Sequence, residues 1–167
     1  MDDKEVAQLV PDSLPILIHG VEGSGASMYT IALAAQWFKQ GYKILFLCGY
    51  PMAEEEFTRL VGEHTSAVFY TKDNVENFKK EVVDSDTIVI VKNIELFGAD
   101  IVNSVTTKCL IVSGNLNKCS FKEELLTLTF VSEVYFSGLD DKSFPELKKY
   151  EGLVISGELK GITKLEQ

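Results

Sequence analysis

The segment Gly20-Val21-Glu22-Gly23-Ser24-Gly25-Ala26-Ser27 has residue types and spacing suited to binding phosphate. A phosphate-cradling loop reads G-x-x-x-x-G-K-[ST]. Its glycines let backbone N–H groups turn inward around the anion, its lysine reaches the terminal phosphates, and its hydroxyl ligates magnesium. Gly20 and Gly25 keep the spacing here, Gly23 adds freedom inside the loop, and Ser27 supplies the hydroxyl. Ala26 stands where the lysine belongs. Gly20, Gly23, Ser24, Gly25, Ala26 and Ser27 are therefore the candidate nucleotide- or phosphate-binding positions, in degenerate form.

Lys92 is the seventh candidate. It follows the β-branched, uncharged run Thr87-Ile88-Val89-Ile90-Val91, so it sits at a strand end where its ammonium could replace the charge that Ala26 lacks. Such a site would hold phosphate without magnesium. A lysine capping a strand in solvent is the plainer reading of the same residue. Glu54, Glu55 and Glu56, just past the second strand, could supply an acid to the site, but read more plainly as the solvated first turn of a helix, where acids favour the positive end of the dipole. His19, ending the strand before the loop, reads as a hydrogen-bonded core histidine, since no nucleophile is paired with it. Ser113-Gly114-Asn115 closes another strand near the same edge and serves equally as a sensor or a plain turn. Trp37, Phe38, Tyr135 and Phe136 read as packing, the last two at a sheet edge. No catalytic residue and no metal ligand is assigned.

The elements that must position these residues alternate along the chain. A buried strand over Leu14 to His19 leads through the glycine loop into a helix from Ala26 to Gln40, with Ile31, Ala34, Ala35 and Phe38 on one face. Gly41 stops that helix, and Lys43 to Cys48 forms the next strand. Pro51 opens a helix carrying Phe57, Leu60 and Val61. Ala67 to Thr71 is a short strand. Asp73 and Glu76 then mark a helix start, with Val75, Phe78, Val82 and Val83 as its stripe.

After Thr87 to Val91, helical character around Gly98 to Val105 precedes a strand at Lys108 to Val112. Ser120 and Glu123 make a capping-box pattern ahead of Leu125 and Leu126. Glu133 to Ser137 adds a strand. Leu153 to Glu158 and Ile162 to Glu166 make a hairpin around Lys160-Gly161. Apolar strands separated by helices imply a mainly parallel sheet covered on both faces, with a C-terminal hairpin. One α/β domain over residues 1–167 is expected.

The stretch from Leu14 to Cys48 resembles the first βαβ unit of RecA-like P-loop ATPases, the KaiC-type branch above all. The resemblance rests on the loop His19 to Ser27, the helix segment Ile31-Ala32-Leu33-Ala34-Ala35-Gln36, and Gln40-Gly41-Tyr42-Lys43 leading into Ile44-Leu45-Phe46-Leu47-Cys48. In strand order it extends over most of the chain, but its motifs lie in the first third. It implies a doubly wound RecA-like P-loop NTPase fold. It also implies three catalytic groups: a loop lysine, a glutamate near the end of the second strand, and an aspartate ending the Walker B strand. The matching positions are Ala26, Gly49-Tyr50 and Lys92, with Asn93 where some relatives carry a second acid. All three groups are missing. Loss of one preorganised charge-stabilising group typically costs roughly 3–4 kcal/mol of barrier, so little hydrolysis is expected.

The expected function is a catalytically inactive RecA-like domain that acts by associating with another protein, with itself or with a RecA-like relative. The alternative is a regulatory protein that binds ATP, another nucleotide or phosphate weakly through the degenerate loop, with little or no turnover. A third reading has a partner subunit supply the missing groups.

Composition narrows the partners. The chain carries 25 acidic and 16 basic residues, a net charge of −9. No Lys/Arg cluster offers the basic stripe that nucleic acid or an anionic membrane requires. The acidic start, Met1-Asp2-Asp3-Lys4-Glu5, lacks an apolar leader, and no apolar run approaches the roughly 20 residues of a membrane span. Cys48, Cys109 and Cys119 form no CxxC pair, and His19 and His64 are the sole histidines. The cytoplasm is the expected compartment.

Overall fold

The computed structural model describes residues 9, 11–51, 53–63, 66–81, 83–137, 147, 148 and 150–165. Its elements run β1 (Ile16–His19), α1 (Ala26–Lys39), β2 (Lys43–Cys48), α2 (Ala53–Val61), β3 (Ala67–Thr71), α3 (Val75–Lys79), β4 (Thr87–Lys92), α4 (Asp100–Ser104), β5 (Leu110–Gly114), α5 (Lys122–Leu126), β6 (Ser132–Tyr135), β7 (Glu151–Ser156) and β8 (Leu159–Lys164). The eight strands form one sheet in the order β3-β2-β4-β5-β1-β6-β7-β8. The pairings from β3 to β6 are parallel, and β7 and then β8 are added antiparallel beyond β6. This is a doubly wound, mainly parallel α/β sheet with a C-terminal hairpin, as expected.

The unbroken apolar strands have the composition expected of a sheet with no wet face. Ile16, Ile18, Ile44, Phe46, Ile88 and Ile90 point to the side covered by α1 and α2, where they meet Ile31, Leu33, Trp37 and Phe57. The alternate residues Leu17, Leu45, Leu47, Val89, Val91 and Val112 point to the other side, against Phe78, Ile101, Leu116 and Leu125. Phe46 stacks on Phe69 with ring centroids 4.7 Å apart, and Phe57 meets both edge-on at 5.5 and 5.7 Å. Each such pair contributes about 0.5–1.5 kcal/mol beyond its buried area.

Four local expectations need correction. The hairpin turns at Gly157-Glu158, with Gly157 at φ 60°, while Lys160 and Gly161 lie inside β8. A two-residue link needs that left-handed step, and glycine supplies it at no steric cost; Glu166 lies outside the described residues. The helix α3 ends at Lys79, and the turn before it is capped two residues earlier than Asp73: Thr71 N–H donates to Asn74 Oδ1 at 2.7 Å. Val82 is likewise outside the described residues. Ser120 does not cap α5, whose N-cap is Phe121 without a side-chain hydrogen bond. Tyr135 and Phe136 do pack, at 1% and 6% exposure, but β6 is interior, between β1 and β7.

One consequence of the strand order positions the site. From β1 the chain leaves through α1 toward β2, whereas β5 passes to β6 by crossing β1. The winding reverses there, and parallel α/β sheets bind ligands beyond the carboxyl ends of strands at such a switch point.

Candidate phosphate site

The carboxyl ends of β1, β4 and β5 lie in register at that switch point: His19 is level with Gly114, and Lys92 with Ser113. Beyond them opens a cleft of about 420 Å³. Its walls are the loop after β1, the turn after β4 and the turn after β5, with Tyr50 and Tyr150 also lining it.

The loop is built by backbone geometry. Gly23 has φ 81° and Gly25 φ 101°, left-handed values that side chains resist. Gly25 is the N-cap of α1 and offers no side-chain cap, so the first N–H groups of a 14-residue helix face outward with their partial positive charge. Gly20 is required by space instead: a Cβ there would collide with Ser24 Oγ and lie 2.5 Å from Ala26 Cβ. Ala26 is 6% exposed, packed where a lysine would start its climb over the loop. Gly20, Gly23, Gly25, Ala26 and Ser27 line the cleft, and the Ser27 residue is exposed. The hydroxyl of Ser24 turns the other way, buried toward Gly20 without a hydrogen-bond partner among the described residues.

Lys92 also lines the cleft, at 6% exposure, so the plainer reading of a solvated strand cap is corrected. Burial lowers its pKa from the ordinary lysine value, opposed by Cys48, Glu56 and Glu95. Cys48, level with Lys92 on β2, gives no thiolate near neutral pH, because burial raises its thiol to about 12. Among the described residues the ammonium makes one hydrogen bond, a long one of 3.4 Å to Asn93 Oδ1. A buried cation so sparsely paired is costly unless a negative group joins it.

His19 is the core histidine its position predicts. It is fully buried; its Nδ1 accepts from the Leu116 N–H at 3.0 Å and its Nε2 lies 3.3 Å from Ser137 Oγ. Ser137 Oγ in turn accepts from the Val21 N–H at 3.2 Å. The imidazole thus ties the loop after β1 to the turn after β5. Glu54, Glu55 and Glu56 sit in the first turn of α2, outside the cleft lining, with Glu56 close enough to act on Lys92 through its charge. Ser113, Gly114 and Asn115 line the cleft as their strand-end position allows.

Several lining residues escaped the sequence reading, the polar ones being Glu95, Lys118 and Tyr150. Glu95 lies on the short 3-10 turn Ile94–Leu96 and holds Oε1 buried against Gly114, without a partner among the described residues. An acid three positions past a strand-end lysine was its one available signal. Lys118 ends the turn after β5 and Tyr150 precedes β7. Nothing local marks either, since long-range topology brings them in.

The chain is similar in fold to the genome packaging NTPase of Sulfolobus turreted icosahedral virus 2, solved in complex with sulfate. The TM-score is 0.62 at 13% identity, over 95% of this chain and 99% of that one. No protein-family model matches the chain, and no curated protein sequence matches it. The structural likeness establishes an NTPase-like fold. Among the described residues no helix is long and apolar enough to cross a membrane, and no group of three or more His, Cys, Asp or Glu could hold a metal ion.

Proposed function

We propose that this protein binds a phosphate-bearing ligand, a nucleotide above all, in the cleft at the end of β1, and turns it over little or not at all. One observation carries the reading: Lys92, at 6% exposure, lines the same cleft as the glycine loop and the uncapped first turn of α1. Backbone dipoles at a helix start and a desolvated ammonium both favour an anion between them. The similar viral fold is that of an NTPase and was solved with sulfate, which supports anion binding here. The absence of a loop lysine at Ala26 and of acids at Gly49-Tyr50 and Lys92 supports slow chemistry.

Two measurements test this. Amide shifts of Gly23 to Ser27 should move saturably as ATP is added up to millimolar concentration, and their failure to move removes the binding half. Steady-state phosphate release should stay far below about 1 s⁻¹, the low end of ordinary enzyme turnover; a rate near that value removes the inactive half.

Protein association is a second reading with its own support. Val21, Met28 and Tyr50 are 41%, 51% and 55% exposed, and all three line the same cleft. A partner, a second copy or a RecA-like relative, would cover this apolar rim. Light scattering with and without ATP tests it, and a monomer under both conditions counts against self-association.

A further inference from the structure

Phosphate loops of this fold ordinarily hold their nucleotide with magnesium, so the donor set can be tested for that ion. Magnesium demands octahedral oxygen donors and usually takes one or two carboxylates in addition to substrate phosphates. The cleft supplies the Ser27 hydroxyl, but its strand-end position carries an ammonium. The nearest acid on the same turn, Glu95, has Oε1 enclosed against Gly114. Asn93, which has φ 63° and ψ 50°, gives its side-chain oxygen to Lys92. These residues do not fit magnesium.

We infer that the ligand class of this cleft is a phosphate ester or polyphosphate free of divalent metal, and that magnesium weakens its binding. The inference rests on the phosphate-binding reading above and gives it a sign. A phosphate oxygen can be neutralised by Lys92 or by Mg²⁺, and the two cations repel each other when both approach it. Chelated nucleotide therefore reaches the cleft with its negative charge reduced and some of its phosphate oxygens already coordinated. Free nucleotide brings the full charge that the buried ammonium requires, and that charge in turn favours the protonated lysine.

Calorimetric titration with ATP and with inorganic pyrophosphate, each in EDTA and in excess magnesium, tests this on the unmodified chain. The expected result is affinity about tenfold or more higher without magnesium, a difference of about 1.4 kcal/mol. Lys92→Asp should reverse the order, binding better with magnesium than without, and Lys92→Met should make the two conditions equal. Equal or tighter binding by the unmodified chain in magnesium overturns the inference while leaving phosphate binding intact. Absence of binding in both conditions overturns the phosphate-binding reading itself.

Discussion

The loop after β1 and the end of β4 line one cleft, yet they follow the phosphate-loop pattern to different degrees. The loop carries Ala26 at the lysine position of that pattern, while its shape rests on backbone and glycine: φ 81° at Gly23, φ 101° at Gly25 and the close packing of Gly20 on Ala26. The strand end differs from that pattern in charge, since β4 closes on the cation Lys92. Backbone-encoded features thus persist when side-chain chemistry changes, because the helix dipole at α1 exists whatever occupies position 26. Chemistry set by one side chain can be inverted without touching the sheet.

The comparison breaks most visibly at Gly20. Gly20→Val would drive a side chain into Ser24 Oγ and Ala26 Cβ, so the loop must shift. Overpacking of this kind costs roughly 1–3 kcal/mol, measurable as a lower urea midpoint, and anion binding should vanish with it. Retained binding would show that loop shape is not what holds the anion.

Lys92→Met sharpens the other side. Affinity for free nucleotide should fall by the worth of a charge-assisted hydrogen bond, roughly 1.5–3 kcal/mol. Stability in the absence of ligand should hold or rise, since a poorly paired buried charge is gone. A clear loss of stability would mean that Lys92 serves the fold rather than the cleft.

Gly23→Ala should have a smaller effect. Nothing lies within 4 Å of the added carbon, so its cost is the left-handed backbone alone, roughly 1–2 kcal/mol, with weakened rather than abolished binding.

The smallest effect is one of pH. The folded pKa of Lys92 is below that of the unfolded chain, so between the two values the unfolded state holds more protons and this residue makes stability rise with pH. Cys48 acts oppositely: its folded pKa of about 12 lies above the ordinary 9.0, so its contribution is lost as pH climbs from 9.0 toward 12. Denaturation of Lys92→Met and of the unmodified chain across the alkaline range separates them. The variant should lack the rising component, and identical profiles would contradict the assigned direction.

Much of the fold was legible because its signals are local. β-branched and aliphatic runs such as Thr87 to Val91 cannot be solvated on either face, and Gly41 at φ 102° ends α1 where the helical stripe stops. The glycine loop was legible for the same reason, down to Gly20, Gly25 and Ser27. Hidden features depended on distance in sequence. The burial of Lys92 follows from β2 and β5 flanking β4, and Lys118 and Tyr150 reach the cleft only through topology. The inward turn of the Ser24 hydroxyl, buried close to Gly20, likewise has no local signal in the sequence. The Ser120 capping pattern failed because α5 begins later, at Lys122, following Phe121.

The central claim is that loop and lysine hold one anion together. Its most direct test is a calorimetric titration of free ATP, in EDTA at neutral pH, into the unmodified chain and Lys92→Met, with Gly23 to Ser27 amide shifts recorded on both. The account predicts saturable binding in the unmodified chain, affinity lower by about tenfold or more in the variant, and residual shifts in the same loop amides. Equal affinity in the two proteins, or shifts that bypass the loop, would contradict it.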